Sequence, residues 1–197
     1  DIKPDTVMRL ANHENIVGIK EALDQSERLN ELISISQSII HQKNFSVLSG
    51  DDLSFNSFMA NGGDGVISVA ANIVPKDIVE ICTLNLSGQF DDAKELDAKF
   101  KSLYKLLFIE SNPMPVKWML YEMGKIDSGI RLPLVSFKST YHEQTLEEMI
   151  KREGLESSFG DILVPTEEVL EIKEGQKKRT ERKYFPGYVM IKMDMND

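Results

Sequence analysis

The apolar positions of the first 90 residues form short continuous runs that alternate with longer segments of helical periodicity. The runs at 16–19, 45–49 and 66–70 are the length of buried strands. Helices are predicted around them, at Asp5–Leu10, from Ser26 to about residue 40, at Leu53–Ala60 and from Pro75 to about Leu86. Regular alternation of this kind is typical of right-handed βαβ units. The pattern therefore predicts an α/β fold with a parallel sheet.

Beyond Gly88 the alternation stops and the apolar spacing becomes purely helical. One amphipathic helix is predicted from Asp91 to Phe108, and another begins at Asn112-Pro113 and runs to Gly124. We interpret these helices as an appendage to the βα units. Their apolar stripes are expected to form core or subunit contacts.

Lys20 closes the first apolar run, and two interpretations of it are open. Burial of the ammonium at the end of a strand would favour the neutral amine, which can attack a carbonyl and form a Schiff base. Alternatively, a lysine in this position extends its stem so that the ammonium stays in water. In a parallel barrel the active site lies at the carboxyl ends of the strands, which here means Lys20, Gly50-Asp51 and Ala70-Ala71.

The glycine-rich segment Gly62-Gly63-Asp64-Gly65 precedes a predicted strand rather than following one. Glycines after a strand and before a helix can hold a phosphate on free backbone amides. At the opposite end of a strand, a tight helix-to-strand connection is the better interpretation.

Composition adds little to this picture but excludes some functions. The chain has 197 residues, is 41% hydrophobic and carries a net charge of −9, which argues against general affinity for nucleic acid. Its single cysteine rules out an internal disulfide and suits the cytoplasm. The three histidines are far apart, so we expect no metal site, and we also expect no cofactor and no membrane association.

Four motifs make the first part of the chain specific. They are Ile16-Val17-Gly18-Ile19-Lys20-Glu21-Ala22, Leu48-Ser49-Gly50-Asp51-Asp52, the segment 62–69, and Glu110-Ser111-Asn112-Pro113-Met114-Pro115-Val116-Lys117-Trp118. In this order and spacing, across residues 1–137, they resemble dihydrodipicolinate synthase, the first committed enzyme of lysine and diaminopimelate biosynthesis.

The resemblance implies three βα units of a TIM barrel, at 1–87, followed by a helical appendage at 88–139. The family is a class I aldolase-type lyase that condenses pyruvate with aspartate semialdehyde. Lys20 matches its Schiff-base lysine, and Gly50, Asp51 and Ile67 match its pocket lining.

The tyrosine and threonine proton relay and the substrate-binding arginine belong to the family's first five strands and have no match here. A lysine without a proton shuttle and an oriented substrate is a poor catalyst, so we expect little or no synthase activity from the chain alone. Unpaired strands also predict association with other chains, including homo-oligomers through these strands or the appendage.

The last sixty residues follow a different pattern. A helix is predicted from about Thr140 to Arg152, and a strand at 161–172 is interrupted at Pro165. A charged loop, 173–183, connects it to a second strand at 184–193, which together predict a long antiparallel hairpin. The loop holds a basic cluster that is either a solvated turn or a phosphate-contacting patch for nucleic acid: Lys177, Lys178, Arg179, Arg182 and Lys183.

The segments 162–169 and 181–189 resemble the N-terminal domain of NusG, a bacterial factor of transcription elongation and antitermination. The resemblance implies a partial α+β domain at 140–197 and RNA polymerase as a partner. Phe185 and Tyr188 match the region beside the polymerase-binding cleft, and two aromatic residues beside a proline are also suited to a core.

Both families have a helix where the two resemblances meet, and the apolar spacing of Leu146, Met149 and Ile150 suits either. We place the crossover between about Ser139 and Gly154. Two incomplete modules favour an engineered or recombined chimera, or a defective gene product, over a natural bifunctional enzyme. Three hypotheses therefore remain: a synthase-derived fragment, a polymerase-binding fragment, and a chimera without function.

Overall fold

The computed structural model describes residues 2–23, 25–39, 44–152, 159–163, 166–173, 176–183 and 190–193. At residues 139, 143, 146, 149 and 150, and from 152 onward, it describes the backbone alone. The chain divides into two compact units, Asp1–Asp127 and Ser128–Asp197.

The first unit contains a three-stranded parallel sheet in the order β1-β2-β3. Its strands are β1 (Gly18–Glu21), β2 (Ser46–Ser49) and β3 (Gly65–Val66). Lys20 pairs with Leu48, and Leu48 pairs in turn with Gly65. The sheet confirms the predicted α/β class, and β1 lies two residues further along the chain than predicted, so that Lys20 belongs to the strand itself.

One helix precedes the first strand, and one helix follows each of the three strands, as the alternation predicts. They are α1 (Pro4–Ala11), α2 (Ser26–Ile39), α3 (Phe55–Ala60) and α4 (Pro75–Leu86). The main apolar cluster lies between α1, α2 and one face of β2, with Leu32 and Ala11 0% exposed and Val47 1% exposed. Burial of such side chains, at about 25 cal/mol per Å², holds the helices against this face of the sheet.

The third strand is shorter than predicted. Strand β3 ends at Val66; residues 67–69 form neither strand nor helix, and a 3₁₀ turn follows at Ala70–Asn72. The carboxylate of Asp52 accepts hydrogen bonds from the amides of Val69 and Ala70, at 3.0 and 3.1 Å. These amides are turned away from a strand ladder, which explains the early end.

The single helix predicted from Asp91 to Phe108 is wrong, because the structure has two helices there. Helix α5 (Phe90–Ala98) and helix α6 (Lys101–Leu107) meet at a tight turn, where the amide of Phe100 donates to the carbonyl of Asp97. The turn buries the Phe100 ring. Helix α7 (Met114–Glu122) completes the appendage. No helix in the described part of the chain has the length and apolar content needed to cross a membrane.

The second unit contains helix α8 (His142–Arg152), preceded by a 3₁₀ turn at Ser139–Tyr141, and two antiparallel strand pairs. Strand β4 (Phe159–Leu163) pairs with β7 (Met190–Met193), and β5 (Thr166–Lys173) pairs with β6 (Gln176–Lys183).

The predicted basic loop at 173–183 is wrong, since most of it forms β6. Its cationic residues pair in register with β5, Lys178 opposite Glu171 and Arg182 opposite Glu167. A charge run indicates exposure to solvent, and both a loop and a two-stranded ribbon satisfy that condition. Sequence composition alone therefore could not distinguish the two.

Candidate active site

The two faces of the parallel sheet differ in character. Side chains alternate along each strand, so the register places one set of residues on a common face. We call this set the open face: Gly18, Lys20, Ser46, Leu48, Gly50, Gly65 and Ile67. On the opposite face Val47, Ser49 and Glu21 are buried against the helices.

Lys20 and Gly50 are in close contact on the open face. A Cβ atom built on Gly50 would stand 2.5 Å from Lys20 Cε, 3.1 Å from Lys20 Cγ and 3.1 Å from the Ala22 Cβ. The lysine stem therefore crosses directly over the glycine. Only a residue without a side chain allows this path, which explains the glycine directly after β2.

Lys20 is exposed in the structure. Of the two interpretations that the sequence leaves open, the observed position agrees with an extended stem whose charged end is in water rather than with a buried ammonium. The physical reason is that the open face has no second layer over it within the described residues. Half of the Ile67 side chain, 50%, is exposed on the same face.

Asp51 occupies the loop after β2 but is directed toward α3. Its Oδ2 accepts hydrogen bonds from the amide and the hydroxyl of Ser54, at 2.9 and 2.7 Å. These bonds satisfy donors at the start of a helix, in the manner of an N-cap. The carboxylate thus fixes the loop that carries Gly50.

Asp52 has a role that sequence reasoning missed. It is 1% exposed, and besides the amides of Val69 and Ala70 it accepts a hydrogen bond from the Ser68 hydroxyl. Burial raises the pKa of its carboxyl, against the opposing effect of these hydrogen bonds. Asp52 therefore joins the loop after β2 to the segment after Ile67. The signal in the sequence was the second aspartate of Gly50-Asp51-Asp52.

Glu21 and Arg28 form an ion pair behind the open face, with side chains 7% and 14% exposed. The second Glu21 oxygen accepts from the amide of Leu23 at 2.9 Å, and Arg28 also donates to the carbonyl of Ile2 at 2.7 Å. This pair fixes the carboxyl end of β1, next to Lys20. No motif of the sequence indicated it.

The glycine-rich connection is confirmed as a structural turn. The amides of Gly62 and Gly63 donate to the carbonyls of Met59 and Phe58, and the amide of Asp64 donates to Val47. Gly62 has a φ of 104°, a conformation that favours glycine. Because all three amides have protein partners, they are not free to hold a phosphate. Among the described residues no cluster of histidine, cysteine, aspartate or glutamate has the arrangement of a metal site.

The predicted site residues of the second unit are only partly described. Phe185 and Tyr188 lie outside the described residues. The basic cluster is placed on β6, where alternation assigns its members to both faces of the ribbon. Lys177, Arg179 and Lys183 occupy positions on one face, and Lys178 and Arg182 on the other.

Two families of known proteins match two different, overlapping parts of the chain. The model of the dihydrodipicolinate synthetase family matches residues 1–153. The chain belongs to this family. A 4-hydroxy-tetrahydrodipicolinate synthase from Teredinibacter turnerae is 46% identical over 144 residues, which cover 73% of this chain and 48% of that protein. The corresponding synthase from Acidithiobacillus ferrooxidans is 43% identical over 152 residues, covering 77% and 50%.

Solved structures of the family agree with the fold. A dihydrodipicolinate synthase from Aquifex aeolicus matches with a TM-score of 0.72 and 36% identity, covering 79% of this chain and 51% of that one. A chloride-inhibited synthase from Acinetobacter baumannii, complexed with pyruvate, matches with a TM-score of 0.69 and 41% identity, also covering 79% and 51%. The chain thus spans about half the length of the synthases it matches, all of them α/β enzymes of the TIM-barrel type.

A second family model, that of transcription termination factor nusG, matches residues 134–197. The two family matches overlap at residues 134–153, which contain helix α8. The overlap includes most of the interval in which the sequence places the crossover.

Proposed function

We propose that Lys20 is the Schiff-base lysine of a synthase-derived half-barrel and that pyruvate is its substrate. The observation that carries this proposal is the course of the Lys20 stem over Gly50, at the carboxyl end of a parallel strand. Active sites of TIM-barrel enzymes lie at that end of the strands. Membership of the synthetase family and the likeness to a synthase complexed with pyruvate support the choice of substrate.

The chemistry needs only the amine and the keto acid for its first step. The exposed Lys20 ammonium first loses a proton to water. The neutral nitrogen then adds to the C2 carbonyl of pyruvate, and loss of water leaves an imine between Nζ and C2. Protons must reach the departing oxygen during this loss. We propose that the chain forms the imine slowly and has little complete synthase activity, because the matched half contributes the lysine and Gly50, Asp51 and Ile67 but no assigned proton relay.

Trapping with borohydride tests the proposal. Borohydride delivers a hydride to the imine carbon and converts the adduct into a stable secondary amine on the lysine. Incubation of the chain with pyruvate and borohydride, followed by mass spectrometry of its peptides, should show this modification on Lys20 above the level on exposed Lys76. A Lys20→Arg variant is the control and should lose only that adduct. Equal modification of Lys20 and Lys76 would overturn the assignment.

The match of residues 134–197 to the nusG family supports a second candidate function. We propose that the second unit binds RNA polymerase through Phe185 and Tyr188, with the basic residues of β6 contacting nucleic acid. Purified RNA polymerase immobilised on beads should retain the chain, and Phe185→Ala should weaken retention. Tyr121→Ala, which removes an exposed aromatic ring from the first unit, is the matched control. Retention that is equal for both variants, or no retention of the wild-type chain, would contradict the proposal.

A chimera without function is the remaining alternative. It predicts neither a Lys20 adduct nor retention on RNA polymerase, so the two experiments together distinguish it from both proposals.

A further inference from the structure

The loop after β2, residues 50–54, carries Gly50 and is attached to other parts of the first unit. The amide of Gly50 donates to the carbonyl of Glu21 on β1 at 2.8 Å. Two residues later, the carboxylate of Asp52 accepts hydrogen bonds from amides of the segment after β3. These bonds fix the beginning and the middle of the loop relative to the sheet.

The end of the loop is attached to the helical appendage. The ammonium of Lys101, the first residue of α6, donates to the carbonyl of Leu53 at 2.8 Å. The two residues are 48 positions apart in the sequence, so this bond joins the βα units to the helices that follow them. Because Leu53 comes directly after Asp52, the position of the loop is determined together by β1, the segment after β3 and α6.

Lys101 itself has a defined position. Its ammonium forms an ion pair with Asp97 Oδ2 at 2.7 Å and lies 5.3 Å from the centre of the Tyr104 ring, whose negative face attracts a cation. Asp97 and Tyr104 are 3% and 0% exposed, so both partners are fixed by the packing of α5 and α6. An ion pair with Asp97 would need no contact outside the appendage. The bond to the Leu53 carbonyl is therefore additional, and it links the pair to the loop.

We propose that Lys101 is a positioning residue of the candidate site: it holds the loop after β2 so that Gly50 stays beneath the stem of Lys20. The inference rests on the proposed function, because it concerns the direction of the Schiff-base amine. A Cβ atom at residue 50 would stand 2.5 Å from Lys20 Cε, so the stem follows the surface of the glycine. Movement of the loop changes the direction of the amine, and reaction rates depend steeply on the orientation of the reacting groups.

Trapping of the pyruvate adduct tests the inference in the variant Lys101→Met, which keeps an apolar stem but has no ammonium. The adducts on Lys20 and Lys76 are measured in the same sample after incubation with pyruvate and borohydride, under conditions in which urea unfolding shows the protein to be folded. We expect the Lys20-to-Lys76 ratio to fall to about half of the wild-type value or less. Lys101→Arg should restore at least about half of this loss, because a guanidinium keeps the charge opposite Asp97 and can donate to the Leu53 carbonyl.

A matched control separates positioning from stability. Ile81→Val removes one methyl group from a side chain of α4 that is 0% exposed, so it destabilises the first unit without removing a charge. This variant should leave the Lys20-to-Lys76 ratio at the wild-type value.

Hydrogen exchange provides a measurement that needs no chemistry at Lys20. In Lys101→Met, the amides of Gly50 and Ser54, which are bonded to Glu21 and Asp51, should exchange at least about fivefold faster than in wild type. The amide of Ser46, which is bonded to the Val17 carbonyl at the other end of β2, should exchange at the wild-type rate.

Four outcomes would overturn the inference. They are an unchanged Lys20-to-Lys76 ratio in Lys101→Met, an equal fall in Ile81→Val, no recovery in Lys101→Arg, and equal acceleration of exchange at Ser46 and in the loop.

The same experiments separate the inference from the proposed function. A wild-type chain that forms no Lys20 adduct would contradict the function, and selective exchange at Gly50 and Ser54 would still show that Lys101 holds the loop. A wild-type adduct with an unchanged ratio in Lys101→Met would contradict the positioning role and leave the function standing.

Discussion

The Lys20 side chain crosses Gly50 so closely that a Cβ atom at residue 50 would lie 2.5 Å from Lys20 Cε. The reactive amine of the proposed site thus depends on a glycine of the neighbouring strand. The Gly50 contact sets the direction of the lysine stem, whereas Asp51 and Asp52 hold the loop in which that glycine lies.

Gly50→Ala should displace Lys20 without unfolding the sheet, because the closest atom to the added methyl is Cε of a flexible lysine side chain, whereas Ala22 Cβ, at 3.1 Å, needs to move only slightly. We expect a several-fold lower yield of the pyruvate adduct and a loss of no more than about 1 kcal/mol in the free energy of unfolding. Gly65→Ala is the matched control, since its methyl would meet Leu48 Cδ2 at 3.3 Å instead of the lysine. An unchanged adduct yield in Gly50→Ala would show that the contact does not position Lys20.

Arg28→Met should destabilise the first unit by about 3 kcal/mol, because it leaves the buried Glu21 carboxylate without its charged partner. Urea unfolding measures the change. Arg9→Met, at an exposed position of α1, is the control and should stay within about 0.5 kcal/mol of wild type.

The double variant Glu21→Gln, Arg28→Met should recover at least about 1 kcal/mol of that loss, because it removes the unpaired charge. If the loss of stability in the double variant equals the sum of the losses in the two single variants, Glu21 and Arg28 are not energetically coupled.

Asp52 should give the first unit a specific pH dependence. Burial raises the pKa of its carboxyl above the ordinary 3.8 in the folded chain, and the neighbouring Asp51 charge acts in the same direction. The folded state therefore holds this proton more tightly than the unfolded state. The contribution to stability is largest at low pH and declines as the pH rises from 3.8 through the raised folded-state value.

The variant Asp52→Asn lacks this titration. The unfolding free energy of wild type minus that of the variant should decrease as the pH increases through that interval. Urea unfolding of both proteins at several pH values measures it. Parallel pH curves for the two proteins would contradict the assignment.

Lys101→Met should cost about 1 to 2 kcal/mol, because it leaves the nearly buried Asp97 without its partner and removes a hydrogen bond of 2.8 Å to the Leu53 carbonyl. Solvent weakens this ion pair, because the lysine side chain is 37% exposed, so the expected loss is smaller than for a buried pair. Lys105→Met, one turn further along α6 at an exposed position, is the control. Equal thermal stability of the two variants would show that the Lys101 contacts contribute nothing.

The predictable part of the fold was the part set by local pattern. Apolar runs indicated the three strands, although β1 is shifted and β3 shares only Val66 with its predicted run. Pro75 indicated the start of α4, and the bounds of that helix, Pro75 and Leu86, agree with the prediction. The break between α5 and α6 was not predictable, since it depends on burying the Phe100 ring against other elements. Likewise, β3 ends early because Asp52, from another loop, captures two amides of the segment after it.

In the candidate site, too, the sequence identified individual residues but not the contacts between them. Lys20 and Gly50 were identified through motifs, but their mutual contact and the exposure of Lys20 follow from the register and from the uncovered sheet face. The ion pair of Glu21 and Arg28 joins a strand to the next helix, and the bond of Arg28 to Ile2 spans 26 residues. Relations of this length are properties of the folded chain, and no spacing in the sequence expresses them.

The spacing of the strands also has a kinetic meaning. Strands β5 and β6 are separated by two residues, whereas pairing of β1 with β2 requires closure of the whole segment 22–45. An isolated hairpin forms within about 1 to 10 μs, and pairings between distant residues are slower because the entropy of loop closure is lost before any contact compensates for it. We therefore expect the antiparallel ribbon to form first, from local contacts. The sheet that carries Lys20 forms later, because its strands pair only after the segment that contains α2 has folded.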